Sequence, residues 1–196
     1  MSETAGNSLE RMLGLLDLFS VDQPVWSTEA MMQATGCTRS TCYRYLKVLQ
    51  AAGFLTPVAQ GAYILGPRII ELDRQLRLRD PIYMAGGPPM KQLASRTGHS
   101  TLLCMLYSDT VMCVREEISP NAPAGLFSRG QKRPLFHGAA SKVIMAHLPP
   151  HQLRNLYAKQ AATVAQVGLG EDWPSFRQAM RSIRVQGHCV TTGEFS

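Results

Sequence analysis

The sequence predicts an α+β chain in parts: a small helical unit with a β-hairpin over residues 8–66, a linker helix over residues 67–80, and a second unit of antiparallel strands and helices over residues 81–196. Three observations predict it. Apolar residues recur at three- and four-residue spacing through much of the first 80 positions, the period of amphipathic helices. Two apolar, β-rich runs, at 101–107 and 110–116, are separated by only two residues. Between the parts stand Asp80-Pro81 and Gly86-Gly87-Pro88-Pro89, a dense cluster of chain breakers that reads as the domain boundary. With 196 residues, 45% hydrophobic and 17% charged, the chain can bury a sizeable core, which excludes a disordered or collagen-like polymer.

The first helix is predicted over residues 8–20, from Leu9, Met12, Leu13, Leu16 and Phe19 on one stripe, with Ser8 as N-cap. Ser27 caps a second helix over residues 28–35, which has Glu29 in its first turn, buries Ala30, Met31 and Ala34, and stops at Gly36. Thr38 opens a third helix running to about residue 52, whose inner face is Cys42, Tyr45, Leu46 and Leu49. Strands at 54–56 and 62–65 follow, joined by a turn at Gln60 and Gly61. Three short helices, the last two joined by a tight glycine turn, and then a hairpin make the plan of a winged helix-turn-helix. Pro67 begins the linker helix, on which Ile69, Leu72 and Leu76 form one stripe.

In the second part a helix is expected at 90–96, then the hairpin turning at Ser108-Asp109, which sets Cys104 and Cys113 opposite each other. A further strand at 124–128, helices at 139–148, 152–162 and 174–185, and the start of a strand at Cys189 to Thr191 complete the reading. A sequence that ends on a starting strand reads as a truncated domain.

Charge sharpens the functional reading. The net charge of +6 lies wholly beyond residue 80, since residues 1–80 hold equal numbers of acids and bases. Between Ala30 and Ile70, however, Arg39, Arg44, Lys47 and Arg68 stand with no acid. Arg39, Tyr43 and Lys47 are spaced by four on the outer face of the third helix, and Ser40 and Arg44 form the neighbouring row. Arginine can bond guanine edges or phosphates in two-pronged fashion, and hydroxyls such as those of Ser40 and Thr41 can meet phosphates. Double-stranded DNA is therefore the expected partner, and Arg39, Ser40, Thr41, Tyr43, Arg44 and Lys47 are the expected contacts.

Here the sequence resembles a family. Ser8-Leu9-Glu10-Arg11, Ala34-Thr35-Gly36, Ser40-Thr41-Cys42-Tyr43-Arg44-Tyr45-Leu46, Gly53-Phe54-Leu55 and Tyr63-x-Leu65-Gly66-Pro67-Arg68 resemble the amino-terminal part of IclR-type bacterial transcription regulators. Arg129-Gly130 with Pro134-Leu135, Lys142 to Ala146, Ile183-Arg184-x-Gln186-Gly187-His188 and Gly193-Glu194 resemble its later part. The resemblance implies a winged-helix DNA-binding domain, a dimerising linker helix and a GAF-like effector domain. It also implies a cytoplasmic homodimer or tetramer on palindromic operator DNA that answers a small organic or aromatic acid. The positions matching the family's ligand contacts are Leu126, Gly138, Ala139, Ala140 and Thr191. Relatives carry further strands beyond the position of Glu194, and where they usually have a glycine before the lysine this chain has Ser141.

Physically, Gly138 and Ala139 begin a helix whose amide hydrogens favour a carboxylate; small residues there would equally let the helix pack closely. A second reading of the whole chain is a small-molecule sensor or protein-interaction module that does not bind DNA, for which the neutral balance of residues 1–80 speaks. His137 beside Ser141 and Lys142 lacks the base and orienting partner that catalysis needs, so no enzyme is expected. The five cysteines have no CxxC spacing and read as reduced thiols, without metal or cofactor. No apolar run reaches 18 residues and the amino end lacks the plan of a secretory signal, so no membrane partner is expected.

Overall fold

The computed structural model describes residues 7–120, 122 and 128–194. The chain divides into two compact units, one ending at Asp80 and the other beginning at Pro81.

The first unit opens with α1 (Ser8–Gly14), capped by Asn7 and not by Ser8. The Asn7 side chain accepts from the amides of Leu9 and Glu10, while Glu10 reaches back to the Asn7 amide at 2.9 Å, a full capping box. Ser8 is thereby freed to bond the Tyr45 hydroxyl at 2.9 Å. The expected long helix tightens instead into a 3-10 turn, Leu15–Leu18, which seats Leu15 in the core. Helix α2 (Thr28–Thr35) and helix α3 (Arg39–Ala51) form as expected, each capped by the hydroxyl before it and with Gly36 left-handed between them at φ 67°. Ala34 is exposed; Thr28 takes its place inside with Met31.

Three strands make the wing: β1 (Trp26–Ser27), β2 (Leu55–Pro57) and β3 (Ala62–Leu65), ordered β1-β3-β2 and antiparallel. The strand at Trp26 escapes sequence reading because two residues carry no periodicity; its pairing to Tyr63 and Ala62 alone defines it. Leu15, Met31, Cys42, Tyr45, Leu46, Leu49 and Leu55 form the core of this unit. Gly66 lies so close to Gly53 that an added Cβ would sit 2.2 Å from the Gly53 carbonyl oxygen. The linker helix α4 (Arg68–Arg79) buries none of its residues within this unit, and Ile70 and Leu76 are 73% and 59% exposed.

The second unit begins with α5 (Pro81–Thr97), which runs straight through Gly86-Gly87-Pro88-Pro89. That corrects the expected break there and the shorter helix at 90–96. The prolines withhold amides from only two carbonyls, those of residues 84 and 85. The glycines serve packing: a Cβ at Gly86 would lie 2.9 Å from Leu103 Cδ2, and one at Gly87 2.7 Å from the Arg115 guanidinium. Helix α5 thus lies directly on the hairpin of β4 (Thr101–Tyr107) and β5 (Thr110–Glu117). Ser108 supplies the positive φ of the turn, 56°, and Cys104 does pair with Cys113.

The third strand of this sheet is β6 (Lys132–Pro134), beside β5. The strand expected at 124–128 falls almost entirely outside the described residues. Helices α6 (Ala139–Ala146), α7 (Pro150–Gln166) and α8 (Trp173–Gln186) follow. Their core is Val111, Leu135, Phe136, Met145, Leu153, Val164, Phe176 and Met180, to which Tyr157, Trp173 and Phe176 add a cluster of rings 5.5–6.1 Å apart. Cys189 to Thr191 form no strand among the described residues, because no neighbouring segment pairs with them.

Candidate nucleic-acid interface and ligand cavity

Helix α3 owes its orientation to its buried stripe. Cys42, Tyr45, Leu46 and Leu49 are all under 5% exposed, and the opposite face is therefore turned outward. On it stand Arg39, Ser40, Tyr43, Arg44 and Lys47, all exposed, with Thr41 half-buried at the rim. The Thr38 hydroxyl accepts from the Thr41 amide and donates to the Thr41 hydroxyl at 3.0 Å, closing the helix start. The Arg39 guanidinium lies over the Tyr43 ring at 5.7 Å, and that of Arg44 over Tyr45 at the same distance. None of Arg39, Arg44 and Lys47 makes an ion pair among the described residues. The six expected DNA contacts thus share the outer face and rim of a capped helix that itself contains no acid.

The four described positions of the expected effector set also come together. Gly138, Ala139, Ala140 and Thr191 line a cavity of about 370 Å³, while Leu126 lies outside the described residues. Sequence reading missed most of the other walls: Ser100, Leu102, Val111 and Arg133, with Cys104, His137 and Ser141 assigned different roles. Leu102 and Cys104 alternate along β4, with Ser100 in step just before it, so period-two spacing was the available signal.

Gly138 precedes α6 at φ 80°, ψ 156°, a backbone that glycine alone adopts without strain. Its amide is not free for a ligand. Glu194 occupies it, accepting from the Gly138 amide at 2.6 Å and from Lys142 Nζ at 2.5 Å. Lys142, 7% exposed, points inward and is neutralised there. The Lys142 hydrogen bond, and after it the Gly138 amide, hold the Glu194 carboxyl below its ordinary range. Ser141 is likewise engaged, donating to the Pro134 carbonyl at 3.2 Å, which leaves the grouping of His137, Ser141 and Lys142 as packing and pairing.

Cys104 and Cys113 are free thiols; burial raises both, Cys113 to about 12. No group of three metal-binding side chains occurs among the described residues, nor is any helix there long and apolar enough to cross a membrane.

Residues 8–59 match the model of the IclR helix-turn-helix domain, and residues 78–196 match that described as bacterial transcriptional regulator IclR C-terminal. The chain belongs to the IclR family. It is 25% identical over 169 residues to the HTH-type transcriptional regulator KipR of Bacillus subtilis, covering 86% of this chain and 66% of KipR. The IclR transcriptional regulator of Alicyclobacillus acidocaldarius shares the fold at TM-score 0.76, with 22% identity, 97% of this chain covered and 77% of that one. An IclR homologue of Microbacterium hydrocarbonoxydans, solved with 4-hydroxybenzoate, superimposes at TM-score 0.68 with 19% identity, 92% of this chain covered and 73% of that one. KipR and the Alicyclobacillus acidocaldarius protein are transcriptional regulators, and the chain spans slightly less than two thirds of KipR.

Proposed function

We propose that this IclR-family chain controls transcription in the cytoplasm by binding operator DNA through the outer face of α3, with a small organic or aromatic acid as effector in the second unit. The observation that carries the first half is the row Arg39, Tyr43, Arg44 and Lys47, exposed and without acidic partners on a helix whose other face is the core. A helix so presented fits the major groove, its arginines toward base edges and Lys47 toward phosphate. Ser40 and Thr41, at the helix start, are assigned to the phosphates.

For the effector, the cavity of about 370 Å³ is of the size that takes a small acid, and Arg133 and His137 in its wall supply positive and hydrogen-bonding groups. Gly138, Ala139, Ala140 and Thr191 would line the bound molecule. Because Glu194 holds the Gly138 amide, we assign the carboxylate anchor to the Arg133 side of the cavity. The structural relative holding 4-hydroxybenzoate supports an aromatic acid as the first ligand to try. The exposed stripe of α4 is assigned to pairing of two copies, in a homodimer or tetramer.

The test is duplex DNA recovered by selection from a random library, titrated with the chain and with Arg44→Ala. The variant is expected to lose about 1–3 kcal/mol of binding, roughly five- to 150-fold, with an unchanged unfolding midpoint. Equal affinity would remove Arg44 from the interface. Failure of the parent chain to bind heparin or any duplex at low salt would favour the sensor without DNA. A thermal-shift panel of small organic acids, 4-hydroxybenzoate among them, tests the cavity.

A further inference from the structure

A cleft in the second unit lies apart from the effector cavity and is larger, at about 560 Å³. Its floor is apolar: Ala146, Leu153 and Met180 are buried there, and Leu148 and Val185 extend it, Val185 being 80% exposed. One long side is the face of α8 that carries Trp173, Arg177, Arg181 and Arg184 at spacings of three and four. A fourth arginine, Arg154 of α7, stands with its guanidinium 5.8 Å from the Trp173 ring centroid.

Helix α8 contains no acid to answer these cations. Arg177 and Arg181, four residues apart on an exposed face, repel each other and weaken the helix. None of Arg177, Arg181 and Arg184 has an ion pair or hydrogen bond among the described residues. A solvated helix face of ordinary composition intersperses both signs. Here one sign gathers on the rim of an apolar trough, an arrangement complementary to a ligand that is anionic outside and apolar within.

The trough is also long. Its α8 positions run from Trp173 to Val185, about 18 Å of helix at 1.5 Å per residue. That length suits a peptide better than a mono-carboxylic acid. The exposed Val185 and the apolar floor suit aliphatic or aromatic side chains better than a phosphate backbone, which needs cations alone.

We propose that this cleft docks an acidic, amphipathic peptide segment of a partner protein, its carboxylates on Arg177, Arg181 and Arg184 and its apolar side chains on Met180, Leu148 and Val185. The contact is charge-assisted at the rim and apolar at the centre, the usual anatomy of such a groove.

The test uses the full chain and a fluorescein-labelled helical peptide of about 12 residues, long enough to span the trough, with glutamates on one face and leucines on the other. Fluorescence anisotropy is expected to show saturable binding that weakens at least roughly tenfold in Arg177→Ala/Arg181→Ala/Arg184→Ala and in the single reversal Arg181→Glu. A polyglutamate of equal length should bind more weakly by a similar factor. The proposal is overturned by no binding to the parent chain, by equal binding to the variants, or by polyglutamate binding as well as the amphipathic peptide. It is also overturned if duplex DNA depends on the same arginines and displaces the peptide, or if the parent self-associates and Arg181→Glu abolishes that association, which would make a second copy the occupant. Unfolding midpoints of both variants should be no lower than the parent's, since the three side chains are exposed and the changes relieve their repulsion.

Discussion

Replacing Glu194 with glutamine leaves Lys142 as a nearly buried ammonium without its counter-charge. The Lys142 side chain is 9% exposed, and its pairing with Glu194 at 2.5 Å is the sole ion pair it makes among the described residues. Breaking a fully buried pair costs about 3–5 kcal/mol. Glu194 keeps 27% of its side-chain exposure, so water reaches the pair and about 2 kcal/mol is the better figure for Glu194→Gln. Urea unfolding followed by Trp173 fluorescence would place the midpoint roughly 1 M lower at neutral pH. The pH dependence has a definite sign. The folded-state value of Glu194 is depressed, so its contribution is complete above the ordinary carboxylate value of 4.5 and is lost as pH falls through the lowered value. The deficit of the variant therefore shrinks in acid. Lys142→Met in the Glu194→Gln background should recover part of the loss by removing the stranded charge. A variant within about 0.5 kcal/mol of the parent at neutral pH, or a deficit that persists in acid, would refute the reasoning.

Lys47→Ala should weaken binding to any duplex alike and lower the slope of log affinity against log salt by about 1; an unchanged slope would place Lys47 off the phosphates. Gly66→Ala should lower stability by about 2–3 kcal/mol, because the added Cβ meets backbone and not a flexible side chain. An unchanged melting temperature would mean that the loop gives way at no cost. Cys104 and Cys113, both raised by burial, should resist a disulfide-exchange reagent at mildly alkaline pH until the chain unfolds. Rapid labelling of Cys113 in the native protein, read by mass spectrometry, would contradict this.

Periodicity made α2, α3 and the β4–β5 hairpin legible, because each has a buried stripe that repeats at its own period and a capping or turn residue at its end. The exposed face of α3, which we propose meets DNA, followed directly, being the complement of its buried face. What stayed hidden is what neighbours decide. Glycines and prolines within α5 read as breakers, yet Gly86 and Gly87 are there for close approach to Leu103 and Arg115. The pair at Trp26–Ser27 becomes a strand only once β3 lies beside it. The resemblance located Gly138, Ala139, Ala140 and Thr191, but the far wall of their cavity comes from β4, β5 and β6, and no local spacing ties Arg133 to Thr191. Least legible was Glu194, since a carboxylate 52 residues from Lys142 gives no sign that it will close over the start of α6.

The near-contact of Gly66 with Gly53 has a mechanical consequence. The Gly66 amide donates to the Phe54 carbonyl at 2.7 Å and the Arg68 amide to that of Gly53 at 3.1 Å, so the root of α4 is riveted to the turn that ends α3. Within this unit α4 is held as a lever arm and not as a tether: a twist imposed on it meets no slack joint and is passed to the end of α3, the helix whose outer face we propose meets the duplex.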